Sequence, residues 1–221
     1  FLHLTPTFPV PYASAPIFPL ALLDEGHTGV ALFMTLSGYL FAKLVGGRGI
    51  DFGAFLWSRA VRLGPLLAVT IAAWVIIGWL TGTPVPLSDL TQGFILPTWP
   101  KGTWSVSIEL QFYLLFPLLL MLFRKHGPFA LLAVVAYALA VRFNWWRAYG
   151  EAQHIAYWTI LGRIDQFVFG MLFALTPSSP RVRRIVAGVS GAAFLVLWHG
   201  FDRDGGYWNY TGAASSSPLW I

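Results

Sequence analysis

A polar stripe runs through the apolar stretch "TWSVSIELQFYLLFPLLL". Ser105, Glu109 and Tyr113 follow one another at intervals of four residues, so a helix would place them on one face. A carboxylate inside a spanning helix costs a few kcal/mol, and such groups face other helices or a water-filled cavity. Glu109 is therefore a candidate functional residue, as intramembrane ionisable groups are by default. The alternative is a structural bond to a buried arginine, for which "GRIDQFVFG" supplies Arg163 and, for a wider network, Asp165.

A second candidate is the pair of arginines in "IDFGAFLWSRAVRLGPLL". Asp51 is placed to cap a helix, and Arg59 and Arg62 share one face of it at a spacing of three. Pro65 is expected to open the next spanning helix, where a missing N–H does no harm. The two arginines could hold anionic lipid heads at the interface. Alternatively they bind phosphates, which guanidinium groups contact in a bidentate manner.

Small residues mark the segment "GHTGVALFMTLSGYLF". Gly29, Ser37 and Gly38 are of the kind that lets membrane helices approach closely. Ser37 is also a candidate nucleophile or substrate contact, although no G-x-S-x-G elbow surrounds it. His3, in "FLHLTPTFP", is a lone histidine whose type alone assigns it no role.

These residues must be positioned by membrane-spanning helices. The chain has 221 residues, 57% hydrophobic and 10% charged, whereas soluble domains carry about 25% charged residues. It has no cysteine, which excludes disulfides and thiolate metal sites, and we expect no metal. We predict an all-α, polytopic integral-membrane helix bundle with about six complete spans and a partial first one. The predicted spans are 28–45, 65–81, 104–123, 128–141, 156–175 and 184–200. We expect a single domain, 1–221, cut at both ends.

The charges in the loops predict the orientation of the chain. Acidic residues such as Asp89 and Glu151 fall on the side opposite to most of the basic ones. The basic residues that share one side are Lys43, Arg48, Arg59, Arg62, Arg124, Lys125, Arg181, Arg183 and Arg184. Because basic loops stay in the cytoplasm, we predict a multi-pass protein of the cell inner (plasma) membrane with these loops cytoplasmic. Its expected partners include the lipid bilayer and exclude nucleic acid.

Four segments, in order, resemble acyltransferase family 3 of integral-membrane acyltransferases. "GVALFMTLSGYL" is similar to the family's G-V-x-L-F-F-x-x-S-G-F-L-I, with Met34 and Tyr39 where phenylalanine is usual. "FLWSRAVRLGP" resembles F-x-x-R-R-x-x-R-I-x-P, with Ser58 before Arg59 in place of a double arginine. "TWSVSIELQFYLLFPLLL" resembles W-S-L-x-x-E-x-x-F-Y-x-x-x-P and is the most specific of the four. "RIDQFVFGMLFA" resembles R-x-D-x-F-x-x-G.

The resemblance implies a membrane enzyme that moves an acyl group, with acetyl as the expected one, from cytoplasmic acyl-CoA to a hydroxyl of a carbohydrate or small molecule. The expected acceptors include surface polysaccharide and peptidoglycan. Acyl-CoA is then a co-substrate, and no bound cofactor is expected. His3 occupies the position of a family histidine and is the candidate base that takes the proton of the hydroxyl. Glu109 is the candidate carboxylate that orients it.

The remaining candidates are assigned to the two substrates. Arg59 and Arg62 would meet the phosphates of acyl-CoA, a role to which the family also points. The substrate-binding candidates are Trp104, Tyr113, Ser37, Arg163 and Asp165.

Two other functions are compatible with ionisable residues in a membrane. A transporter or flippase would show paired inverted repeats or broken helices in corresponding halves, and no such pairing is evident. A non-catalytic membrane scaffold would be favoured by loss of the histidine or of the arginine pair, and both are present.

Overall fold

The computed structural model describes residues 27–45, 51–96, 98–100, 103–150, 153–176 and 179–203. Helices account for most of them, and no strand occurs among the described residues. The all-α prediction is therefore confirmed. The helices are α1 (His27–Val45), α2 (Phe52–Leu80), α3 (Leu87–Gln92), α4 (Trp104–His126), α5 (Pro128–Tyr149), α6 (Gln153–Trp158), α7 (Ile160–Leu175) and α8 (Pro180–Arg203).

Four of the described helices are long and apolar enough to cross a membrane: α2, α4, α5 and the Pro180–Gly200 part of α8. This number is lower than the six complete spans predicted from the sequence. The predicted span 28–45 corresponds to α1, whose apolar part Gly29–Val45 is shorter than the others. The predicted span 156–175 is divided, because Thr159 adopts an extended backbone and caps a new helix by accepting from the Gly162 N–H.

Helix α2 is continuous where a boundary was predicted. Asp51 caps its start by accepting from the Ala54 N–H at 3.0 Å, as predicted. Pro65, however, lies inside this 29-residue helix and does not open a new one. Proline removes one backbone hydrogen bond, a loss that membrane helices tolerate when neighbouring groups compensate. Arg59 and Arg62 therefore belong to the same helix as the apolar span.

Helix α5 extends further than predicted. The predicted span ended at residue 141, but the helix continues to Tyr149 and ends at Gly150, whose φ of 73° is the left-handed conformation that favours glycine. Its buried residues lie three or four positions apart and form one stripe: Leu131, Val135, Ala138 and Arg142. An arginine thus occupies a core-facing position in the membrane-spanning part of the chain.

The core of the described bundle surrounds α4. Gly127, with φ of 73°, is the single residue between α4 and α5. Phe112 of α4 stacks on Phe167 of α7 with ring centroids 3.9 Å apart, and both side chains are fully buried. Phe55 of α2 lies against Phe116 of α4 at 5.6 Å. Aromatic packing therefore fixes the distance between α4 and its neighbours.

Glycines bring α1 and α7 into close contact. A Cβ added to Gly38 would lie 2.0 Å from the carbonyl oxygen of Phe167, and one added to Gly170 would lie 2.0 Å from that of Thr35. The prediction that small residues allow close approach is thus confirmed at Gly38. At Gly29 an added Cβ would meet nothing within 4 Å.

We expect the Gly38→Ala variant to lower the free energy of unfolding by about 1–3 kcal/mol, because over-packing a close contact displaces backbone. Gly29→Ala is the matched control in the same helix. It gains the same helix propensity, up to about 1 kcal/mol, without the clash. The midpoint of thermal unfolding in detergent measures both. Equal midpoints for the two variants would show that α1 and α7 do not meet at Gly38.

The chain divides into two compact units. Residues 29–177 form one, which contains α2 to α7 and nearly all of α1, and α8 belongs to the other. That the whole of 1–221 acts as a single domain stays a prediction.

Candidate functional site

A buried acid and phenol face one another on α4. Glu109 is 7% exposed, and the Tyr113 hydroxyl donates a hydrogen bond to its Oε1. The two residues are one helical turn apart, as the spacing of the polar stripe predicts. Ser105, one turn before Glu109, is half-buried. Tyr113, a residue of the same helix, therefore offsets part of the free-energy cost of burying the Glu109 carboxylate.

Helix α2 brings positive charge to this pair. Arg59 is half-buried, and Arg62, which is three residues further along the same helix, is exposed. The Arg59 guanidinium lies 4.7 Å from the ring centroid of Phe41 and 5.7 Å from that of Phe55. Such contacts stabilise a cation away from water. Arg59 and Glu109 are about fifty positions apart in the sequence, so spacing gave no indication that Phe41 and Tyr113 link them in the structure.

Aromatic rings enclose the charged cluster. Phe41 meets Tyr113 edge-on at 5.2 Å, and Phe55 meets Tyr113 at 6.0 Å. Arg59 Nε is buried and has no hydrogen-bond partner among the described residues. Because such surroundings lower the effective dielectric constant, charges interact more strongly there than in water. We call Arg59, Glu109 and Tyr113 the charged cluster.

Asp165 pairs with a residue that the sequence analysis missed. An ion pair joins Asp165 to Arg142 of α5, with Nη2 and Oδ2 2.8 Å apart. Arg142 Nη1 also donates to the Gly162 carbonyl at 3.1 Å. The sequence suggested a network that joined Glu109, Arg163 and Asp165, but in the structure Asp165 pairs with Arg142. Arg142 could have been found from its position, since it continues the buried stripe of α5.

The Arg163 side chain lies beside tryptophans. Its guanidinium is 5.6 Å from the ring centroid of Trp104, and Trp104 meets Trp158 edge-on at 5.4 Å. Ser37 is buried and precedes Gly38 in α1, and its role as a nucleophile or substrate contact stays a prediction. His3 lies outside the described residues.

The segment before α4 is tied to the start of that helix. The Gln111 amide donates to the Phe94 carbonyl, and the Ser107 hydroxyl donates to that of Gly93 at 3.2 Å. A Cβ at Gly93 would overlap the ring of Trp99, so only glycine fits there. Ser107 and Gln111 therefore hold the preceding segment against α4, and Glu109 lies between them in the sequence.

A cavity of about 420 Å³ opens near the far end of α4. Its walls are mostly apolar, and two of its residues are basic. The lining residues are Phe52, Pro117, Leu120, Met121, Arg124 and Lys125. Apolar walls with positive charge at one end suit a ligand that has both an apolar part and an anionic group.

Breaking the Arg142–Asp165 pair is expected to destabilise the protein. We expect Asp165→Asn to lower the free energy of unfolding by about 3–5 kcal/mol, because it leaves a buried charge without its partner. The double variant Arg142→Met/Asp165→Leu removes both charges and should cost far less. Thermal unfolding in detergent compares them. A double variant no more stable than the single one would contradict the pairing.

Comparison with known proteins gives two matches. A family model described as an acyltransferase domain, family 3, matches residues 1–221. A protein of Komagataeibacter xylinus named "Putative membrane-bound transacylase BcsY" is 26% identical over an alignment of 206 positions, and the alignment covers 82% of this chain and 53% of that protein. The chain thus spans about half the length of the curated relative that it matches. No solved structure matches it.

Proposed function

This chain belongs to acyltransferase family 3, and from that premise we propose that it moves an acyl group from cytoplasmic acyl-CoA to a hydroxyl of a carbohydrate. Acetyl is the expected group, and surface polysaccharide or peptidoglycan the expected acceptor. The observation that carries the proposal is the buried Glu109, which accepts a hydrogen bond from Tyr113. The rings of Phe41 and Phe55 lie against Tyr113, and the Arg59 guanidinium lies over both rings. Intramembrane ionisable residues of this kind mark functional sites.

The donor is proposed to bind on the basic side of the bundle. Arg59 and Arg62 offer charge to the phosphates of acyl-CoA, and the cavity beside Arg124 and Lys125 combines apolar walls with further positive charge. The phosphates and the thioester of acyl-CoA are separated by a long flexible arm. The phosphates can therefore stay near Arg59, Arg62 and the basic end of α4 while the thioester reaches past them toward Glu109.

The transfer step needs a base, because an alcohol is a poor nucleophile while it keeps its proton. We propose that His3 takes the proton of the acceptor hydroxyl and that Glu109 orients the imidazole and balances its charge. The hydroxyl oxygen then forms a bond to the thioester carbonyl carbon, and the carbon–sulfur bond breaks. The proton passes from His3 to the leaving thiolate, which leaves as the thiol of CoA.

The orientation and the location of the protein are part of the proposal. The basic residues follow the positive-inside pattern of a multi-pass protein of the inner membrane, which would place the acyl-CoA side in the cytoplasm. The lipid bilayer is then a partner of the protein. The acceptor is a carbohydrate or another small hydroxylated molecule.

Membrane vesicles that contain the full-length protein and acetyl-labelled acetyl-CoA test the proposal. Wild type should transfer label to extracted glycan, and His3→Ala should lower the rate by a factor of about 100 or more, the usual contribution of a general base. His199→Ala, in an exposed position of α8, is the control. If wild type moves no label from any acyl-CoA to any acceptor, the transporter interpretation replaces this one.

A further inference from the structure

We propose that the cavity near the end of α4 binds the adenosine 3′-phosphate part of acyl-CoA, with Arg124 and Lys125 at the phosphate and Phe52 against the adenine ring. The inference rests on the proposed function, because it assigns one part of the donor to one place in the bundle. Arg59 and Arg62 are left for the diphosphate. The cavity measures about 420 Å³, within the range of about 300–1,000 Å³ that small-molecule sites occupy.

The cavity adjoins a face of α2 that leads to Arg59. Phe52, Phe55 and Arg59 follow one another at intervals of three and four residues, which places them on the same side of the helix. The rings of Phe52 and Phe55 are 18° from parallel with centroids 6.3 Å apart, and the Arg59 guanidinium is 5.7 Å from the Phe55 centroid. Aromatic rings therefore connect the cavity to Arg59, which is about 10 Å from Phe52 along the helix axis.

Helices α2 and α4 run in opposite directions beside the cavity. Phe52 shares the cavity with Leu120 of α4, whereas Phe55, further along α2, meets the earlier residue Phe116 at 5.6 Å. The basic residues that follow Leu120 therefore lie on the side of the cavity away from Arg59. Positive charge is thus present at both ends of this line, with the rings of α2 between them.

The two basic residues of the cavity favour a phosphate monoester. Arg124 and Lys125 are adjacent in α4, and both line the cavity. A phosphate monoester carries a charge of about −1.5 to −2 at pH 7, whereas the diester of phosphatidylglycerol carries a single negative charge. Paired cations bind the more highly charged group more strongly. Among the phosphates of acyl-CoA, the 3′-phosphate is the monoester.

The apolar walls favour the adenine ring over the flexible arm of the donor. Apart from the two basic residues, the lining consists of Phe52, Pro117, Leu120 and Met121. The arm of CoA carries two amides, which lose hydrogen bonds when apolar groups surround them. A purine instead offers flat faces that stack on an aromatic ring such as that of Phe52. Its polar edge can point to the open side of the cavity, where Met121 is 58% exposed.

The rest of the donor then points toward Glu109. Phe55 meets Tyr113 at 6.0 Å, and Tyr113 donates a hydrogen bond to Glu109. Arg124 and Glu109 are separated by about 22 Å along the axis of α4. A long donor that is anchored by its nucleotide at the cavity can therefore extend its thioester along this line, past Arg59 and toward the carboxylate.

The test measures binding of CoA and of 3′-dephospho-CoA to the purified full-length protein in phosphatidylcholine nanodiscs by isothermal titration calorimetry. Wild type should bind CoA about 10- to 100-fold more tightly, the effect of a charge-assisted hydrogen bond. Arg124→Gln/Lys125→Gln should lose this preference and bind both ligands with the wild-type Kd for dephospho-CoA. Arg59→Gln should weaken both ligands and keep the preference. Phe52→Leu should also weaken both, by about tenfold, because it removes a stacking surface.

Matched controls make similar substitutions on the surface. Arg147→Gln changes an exposed arginine of α5, and Phe129→Leu changes a phenylalanine that is 78% exposed; neither should change either Kd.

Two results would overturn the site: a wild type with equal Kd for the two ligands, or an Arg124→Gln/Lys125→Gln variant that keeps the preference for CoA. If that variant keeps the preference but retains less phosphatidylglycerol in native mass spectrometry, the cavity binds a lipid head group. In each of these cases the proposed function stands, provided that wild type binds CoA and transfers acetyl. If wild type binds neither ligand, the proposed function fails, and this inference fails with it.

Discussion

Replacing Glu109 with glutamine is expected to lower kcat for acyl transfer by a factor of about 100 or more, in the range that general acid–base groups contribute. The amide still offers an oxygen to the Tyr113 hydroxyl, so the bond within α4 can persist. What disappears is the negative charge among the arginines of α2. If that charge orients and balances the base, the chemical step slows while the KM for acyl-CoA stays near its wild-type value.

Tyr113→Phe separates catalysis from structure at Glu109. It removes the bond to the carboxylate but keeps the charge, so we expect a smaller loss of kcat than in Glu109→Gln. If Glu109 is purely structural, the rates of Glu109→Gln and Tyr113→Phe should fall only in proportion to the loss of folded protein. Equal kcat per folded molecule in Glu109→Gln and wild type would therefore contradict a catalytic carboxylate.

Replacing Arg59 with glutamine is expected to raise the KM for acetyl-CoA about 10- to 100-fold, because a charge-assisted hydrogen bond to phosphate is among the stronger ones. Arg62, which is exposed, should contribute less. Steady-state kinetics in liposomes measures both. Arg147→Gln, an exposed arginine in the last turn of α5, is the matched control and should leave the KM unchanged.

This prediction also separates the two interpretations of the arginine pair. An arginine that holds only lipid head groups would leave the KM for acetyl-CoA unchanged when it is replaced. The structure favours an inward role for Arg59, since the residue is half-buried and its guanidinium lies over Phe41 and Phe55. An unchanged KM for acetyl-CoA in Arg59→Gln would instead favour the interpretation that Arg59 binds lipid head groups.

Local features of the fold could be predicted from the sequence. The pairing of Glu109 with Tyr113 depends only on helical periodicity, and the cap at Asp51 depends on one residue and its neighbours. The close contact at Gly38 was expected from side-chain size alone. Each of these features depends on a few adjacent residues, and so a short stretch of sequence determines it.

Features that depend on distant residues could not be predicted. Arg142 and Asp165 are 23 positions apart on different helices, and no local pattern joins them. The continuity of α2 through Pro65 was missed because proline by itself favours a boundary, whereas the helix runs through it from Phe52 to Leu80. The break at Thr159 was missed because the apolar run continues across it, and only the backbone shows where one helix ends.

The central claim is that the protein forms an ester between an acyl group and a hydroxyl. The most direct measurement reconstitutes the purified full-length protein in liposomes with acetyl-CoA and envelope glycan, and follows the CoA thiol and the glycan acetyl ester together. The account predicts that thiol and alkali-labile ester appear in equal amounts, and that both disappear in His3→Ala. Thiol release without ester, or glycan movement without any consumption of acetyl-CoA, would contradict it.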